Sequence, residues 1–280
     1  MSWSTVATAF KLTLRHSTPS TMLFFSGIVS CMVLLFLLAA QKKLSLLCNL
    51  KRRDLLQSMG LGLLNPFLYY LILFEAYDRL PAQVAQPLNY TWALTLAFLS
   101  VPFLKQKLGK KDLLGALVSY SGVLILSSYS SLSSFSLVDP WGIALALGST
   151  IIWAFYWIFN TRDEKDPVLG LLLNFVFGTS FVFVAILLMD TRLEISINGI
   201  LGAAYIGVFE MGLAFYLWLK AMKTAENTAR VSTLIFFSPF LSLVFIHFVL
   251  GEALAFSTLL GLPLIVTGII IQRCDRPPTV

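Results

Sequence analysis

This sequence predicts an all-α membrane bundle of about ten transmembrane helices in two inverted five-helix repeats. Three observations carry that prediction. Of 280 residues, 58% are hydrophobic and only 12% charged, about half the charge of a soluble domain. Apolar runs follow one another with short breaks, several of them near the ~20 residues that a spanning helix needs. The second half of the chain repeats the spacing of the first.

In chain order the spans are expected near 1–14, 20–41, 54–77, 82–103, 112–128, 141–160, 168–189, 198–219, 228–250 and 257–272. The first is short. Met1 to Leu14 makes ~21 Å of helix against a hydrocarbon core of ~30 Å, so roughly ten residues of a full span are expected to be missing there. The second and seventh begin at Pro19 and Pro167, as helices do where the first N–H needs no partner. Pro66 in the third span and Pro239 in the ninth each remove a backbone hydrogen bond, which marks both as kink or hinge points. The connections are short, the longest running from Lys42 to Arg53, so no soluble domain is attached.

Basic residues set the orientation. With the N-terminus cytoplasmic, only Lys11, Arg15, Arg79 and Arg192 fall outside, and the other sixteen of the 20 Lys and Arg fall inside. In loops this short that asymmetry follows the positive-inside rule. It places both termini in the cytoplasm and the protein in the inner (plasma) membrane. The net charge of +6 is therefore topological and predicts no nucleic-acid partner.

The repeat shows in glycines. Gly115 and Gly122 in the fifth span recur as Gly261 and Gly268 in the tenth, 146 residues on. The same offset sets Tyr70 on Tyr216 and Gln86 on Ser232. An odd number of spans per half inserts the halves in opposite directions, the inverted repeat of secondary transporters, which bind their solutes near the midplane between the halves.

The fourth span carries the most information. Gln83, Gln86, Asn89 and Tyr90 share one helical face, and amides facing hydrocarbon are costly. The stripe is expected to face a water-filled cavity, the competing use being hydrogen bonds that glue helices together. Ser232 and Phe236 on the equivalent ninth span, with Trp3, Trp153 and Tyr156 from the first and sixth, complete the expected substrate pathway. Glu210 lies near mid-helix in the eighth span, where a charge costs ~2.5–3.5 kcal/mol on insertion scales. It needs a partner, a proton or a cavity, which makes it the proton-coupling candidate.

Other chemistries find no support. The sequence has two histidines, His16 and His247, no HExxH, and every Asp in a connection, at a helix end or in the tail, so neither a metal nor a catalytic set is expected, and no cofactor. The three cysteines, Cys31, Cys48 and Cys274, lack metal-ligand spacing. A receptor or channel without carrier activity is the alternative, and it gains nothing from an inverted repeat.

Trp3-Ser4 and Trp153-Ala154 in the first helix of each half, Pro19 and Pro167 opening the second, and Leu250-Gly251-Glu252 followed by Gly261 and Gly268 resemble the EamA-type drug/metabolite transporters. The resemblance covers two repeats, 1–128 and 140–273. Asn89-Tyr90-Thr91-Trp92 is also similar to a stretch in the fourth helix of an aromatic amino acid exporter of that type. The first half departs from the pattern, with Lys105-Gln106 where the second has Gly251-Glu252. The resemblance implies export of small organic solutes, such as amino acids or drugs, by alternating access. Expected partners are that solute and the lipid bilayer, and a homodimer is compatible with the fold.

Overall fold

The computed structural model describes residues 2–104, 110–127, 139–160, 163–189, 193–224 and 238–273, and among them every regular element is helical. In the first half, α1 (Ser2–Leu14) and α2 (Pro19–Ala40) precede a short 3₁₀ turn at Leu44–Asn49. The third helix, α3, runs as Arg52–Gly62, a π-helical Leu63–Leu68, and Tyr69–Arg79. Next come α4 (Ala82–Tyr90), α5 (Trp92–Leu104) and α6 (Lys110–Ser127). The second half comprises α7 (Pro140–Asn160) and α8 (Pro167–Leu188). Its third helix, α9, runs as Ile197–Tyr205, a π-helical Ile206–Ala214, and Phe215–Thr224. It ends with α10 (Ser238–Phe245, continued by a π-helical Ile246–Leu250) and α11 (Phe256–Arg273).

Local sequence explains the ends. The second helix of each half opens with the same device, a side-chain cap and then proline: Thr18 accepts from the Thr21 amide, and Asp166 from those of Val168 and Leu169. Asp166 also takes the Lys43 ammonium at 2.7 Å, tying α2 to α8. At the opposite face Asp139 caps α7 through the Gly142 and Trp141 amides and meets Arg79 at 3.5 Å. Those amides, with Arg79, hold its carboxyl below the ordinary carboxylate range. Gly251 closes α10 in the left-handed region at φ 70.

Two spans depart from single straight helices. The fourth, expected as one helix over 82–103, is two. Pro87 offers no N–H to the ladder, and Thr91, at φ −67, ψ −4, forms a one-residue turn between the two while staying in the right-handed region. The Thr91 hydroxyl turns back to the Leu88 carbonyl at 2.7 Å. The third bends at Asn65, whose φ −146 and ψ 123 are extended, immediately before Pro66. A π segment in each half's third helix ends at an equivalent position, Leu68 and Ala214.

The halves pack about a pseudo-two-fold relation. Helix α2 lies against α8 and α9, while α8 lies against α2 and α3; α6 pairs with α11. In that last seam a Cβ on Gly122 would meet the Gly261 carbonyl oxygen at 2.6 Å. Reciprocally, one on Gly268 would strike the Gly115 carbonyl and Ser119. Ser119 donates to the Ile265 carbonyl at 2.9 Å, and these two positions are themselves 146 apart. The repeated glycines of the sequence are thus the contact surface of one repeat on the other, where bare backbone allows close approach.

Candidate functional site

Between the halves lies an open cavity, about 640 Å³ when the solvent space at its mouth is counted. Helix α1 contributes Trp3, Val6 and Phe10, and α3 contributes Tyr69, Leu73 and Tyr77. The broken fourth span gives Gln86, Asn89, Tyr90 and Trp92; α7 gives Trp153 and Trp157; α9 gives Glu210, Phe215 and Trp218. On α1, α3 and α7 these residues follow one another at intervals of three or four, the spacing of one helical face.

Aromatic contacts shape the wall. Trp153 stacks on Tyr69 with centroids 4.5 Å apart, meets Trp92 edge-on at 6.5 Å, and meets Phe215 at 5.6 Å. Across the cavity Trp3 tilts against Trp218 at 5.1 Å. Such ring pairs contribute about 0.5–1.5 kcal/mol each beyond their buried area, so the wall is preformed.

Polar groups punctuate it. The Tyr70 hydroxyl donates to Glu210 Oε1 at 3.1 Å, a bond from the first half to the second. Trp3 interacts with the same carboxylate. Glu210 is 9% exposed and Oε2 has no hydrogen-bond partner among the described residues. Glu210 sits in the π-helical part of α9, a local widening of the kind that frequently marks functional sites. Asn89 accepts from the Tyr69 hydroxyl at 3.3 Å and donates to Ser149 at 3.2 Å. Gln86 Oε1 and Trp153 Nε1 are both buried without partners among the described residues.

Of the expected pathway residues, the structure gathers Trp3, Gln86, Asn89, Tyr90, Trp153 and Glu210 around this one cavity. Tyr156 is placed elsewhere. It is fully buried, its ring stacks behind Trp153 at 5.7 Å, and its hydroxyl lies against Asn65 and Asn174. Trp157, one residue further along α7, takes the position expected for it. Gln83 also leaves the cavity. Its amide donates to the Ala253 carbonyl and accepts from the Ala255 amide and the Thr258 hydroxyl, at 2.9 to 3.1 Å. Glu252 caps α4 beside it through the Ala82 and Gln83 amides. Ser232 and Phe236 lie outside the described residues. Pro66 stands at the bend in α3. Pro239 is the second residue of α10, and the chain just before that helix lies outside the described residues.

The sequence reasoning did not place Val6, Phe10, Tyr69, Leu73, Tyr77, Trp92, Trp157, Phe215 and Trp218 on the pathway. A signal was present in Tyr69, Leu73 and Tyr77, which repeat at four-residue spacing, one face of a helix. Among the described residues no group of three or more His, Cys, Asp or Glu could hold a metal ion.

Comparison with known proteins agrees with this architecture. The EamA-like transporter family matches residues 1–128 and again 140–273. An uncharacterized transporter encoded in the sor 3′ region of Acidianus ambivalens is 28% identical over 206 residues, 72% of this chain and 79% of its own. The uncharacterized transporter YvbV of Bacillus subtilis is 24% identical, over 74% of this chain and 68% of its own. PecM of Dickeya dadantii is 24% identical, over 76% and 72%. A solved crystal structure superposes with a TM-score of 0.70 at 21% identity, covering 97% of this chain and 92% of its own, which shows a shared fold. The chain belongs to the EamA-like transporter family and is a multi-pass membrane transporter.

Proposed function

We propose that this transporter is a secondary carrier that exports small organic metabolites, such as amino acids or drugs, by alternating access, with Glu210 as the proton-coupling group. The observation that supports this reading is Glu210 itself, the one carboxylate on the wall of a cavity built from both halves. Rocking one repeat against the other would expose such a site to each side in turn. The bend at Asn65-Pro66 is the proposed hinge in the first half, and Pro239, the second residue of α10, is the proposed hinge in the second. Both termini lie in the cytoplasm of an inner membrane.

Protonated, Glu210 donates a hydrogen bond; ionised, it holds an ammonium group. Alternation between the two couples solute to proton. The test is flux in proteoliposomes at two pH values, wild type against Glu210→Gln. The variant is expected to lose flux or its pH dependence while eluting as a folded protein. Wild-type flux with an unchanged pH profile would overturn the coupling role. Saturable, competitive flux separates a carrier from a receptor or channel. Reporter fusions after Lys51 and in the tail are expected on the cytoplasmic side, and one within 130–136 on the outside.

A further inference from the structure

Resting on the carrier reading and narrowing it, we propose that the cavity selects organic monocations, apolar or aromatic bodies bearing one ammonium group, over neutral, anionic and zwitterionic solutes. Charge is the first argument. Among the described lining residues Glu210 is the only carboxylic acid, and no Lys, Arg or His joins it there. One of its oxygens takes the Tyr70 hydroxyl and the other is left unpartnered among the described residues.

The cations on surrounding elements are occupied or distant. On α1, Lys11 donates to the Tyr77 carbonyl at 2.6 Å, eight residues from Trp3 or ~12 Å along the helix. On α3, Arg79 is paired with Glu75 and Asp139, nine residues from Tyr70 or ~13 Å. On α9, Lys220 lies over the Tyr216 ring at 5.9 Å, ten residues or ~15 Å from Glu210. On α10, His247 is bonded to the Glu252 carbonyl. Among the described residues α2, α4, α5, α7 and α8 carry no basic residue. A carboxylate so placed attracts a cation that the protein does not supply.

The second argument is the wall. Trp3, Trp153, Tyr69 and Trp218 border the same space as Glu210, and aromatic rings attract cations, more strongly where water is excluded. An ammonium group thus meets charge on one side and ring quadrupoles on the others. A zwitterionic amino acid gains the same contacts through its amine. Its carboxylate, however, finds no basic partner among the described lining residues and is left with neutral donors such as Trp153 Nε1, which offset only part of its desolvation. The geometry therefore favours amines over amino acids.

Five of the six tryptophans line the cavity, so tryptophan fluorescence of the purified full-length protein reports its occupancy. The probes are phenethylammonium, 2-phenylethanol, 3-phenylpropanoate and phenylalanine, which share a ring and differ in charge. Phenethylammonium is expected to bind at least tenfold more tightly than the alcohol or phenylalanine, and the propanoate most weakly. In Glu210→Gln the preference over the alcohol should vanish while weak binding of both remains; Glu210→Asp should retain it. Equal or tighter binding of the alcohol, the propanoate or phenylalanine by the wild type overturns the selectivity and leaves the carrier reading standing. A preference that persists in Glu210→Gln overturns the role of the carboxylate. If no probe binds and none crosses proteoliposomes, the selectivity and the carrier reading fall together.

Discussion

Gln83 and Gln86 stand one turn apart on the same face of α4, and the structure treats them in opposite ways. Gln83 is held by three hydrogen bonds from the segment joining α10 to α11 and the start of α11, beside a helix N-terminus that Glu252 caps. Gln86 turns into the cavity with its carbonyl oxygen unpartnered among the described residues. The same side chain is held by its neighbours at the helix end and borders the cavity one turn later. What distinguishes the two is how completely the surroundings satisfy them. Satisfied amides fix a structure, whereas unpartnered ones facing a cavity are free to meet a solute.

The largest effect that would sharpen this contrast lies in the seam of α6 and α11, where no side chain can yield. Gly268→Leu drives a branched side chain into the Gly115 carbonyl and Ser119, and backbone has nowhere to go. We expect loss of folded protein in detergent, measured as the monodisperse fraction by size-exclusion chromatography. Recovery of a wild-type profile would show that the repeats are not held together there.

Next comes Gln83→Leu. It strips a partner from the Ala255 amide, the Thr258 hydroxyl and the Ala253 carbonyl. Unsatisfied buried groups cost about 1–3 kcal/mol each, which predicts a clear fall in Tm. Gln86→Leu should leave Tm almost unchanged and cut flux about tenfold. Equal Tm losses at the two positions would erase the distinction drawn above.

Much of this was legible in the sequence. The ten apolar segments follow from composition and length, and the glycine spacing of the fifth and tenth spans named the seam residues before their contacts were seen. The polar face of the fourth span was legible as a face. Its division into glue and site was not, because the partners of Gln83 lie some 170 residues away in sequence. Tyr156 misled for a related reason. Spacings of three and four residues both share a face with Trp153, and only the packing of α7 against α3, with the Tyr156 hydroxyl against Asn65 and Asn174, assigns Trp157 to the cavity and Tyr156 to the interior. The break at Thr91 was hidden inside a run that reads as one continuous helix, because Pro87 is common enough in membrane helices to be passed over.

The smallest expected effect concerns water within the fourth span. Asn89 lines the cavity although both ends of its amide are engaged, by Tyr69 and by Ser149, whereas Leu94 on α5 is fully buried. A cavity that water enters should expose a cysteine at 89 to a membrane-impermeant thiol reagent several-fold faster than one at 94. A cysteine at 86 should react as well, since Gln86 borders the same space. The native cysteines at 31, 48 and 274 would be replaced by serine first, so that the rate belongs to the introduced thiol. The predicted ratio is modest because the rings of Trp153 and Tyr69 crowd the approach to Asn89. Its sign carries the argument: labelling at 86 and 89 no faster than at 94 would mean that Gln86, like Gln83, is held between helices, and that the two glutamines do not differ in kind.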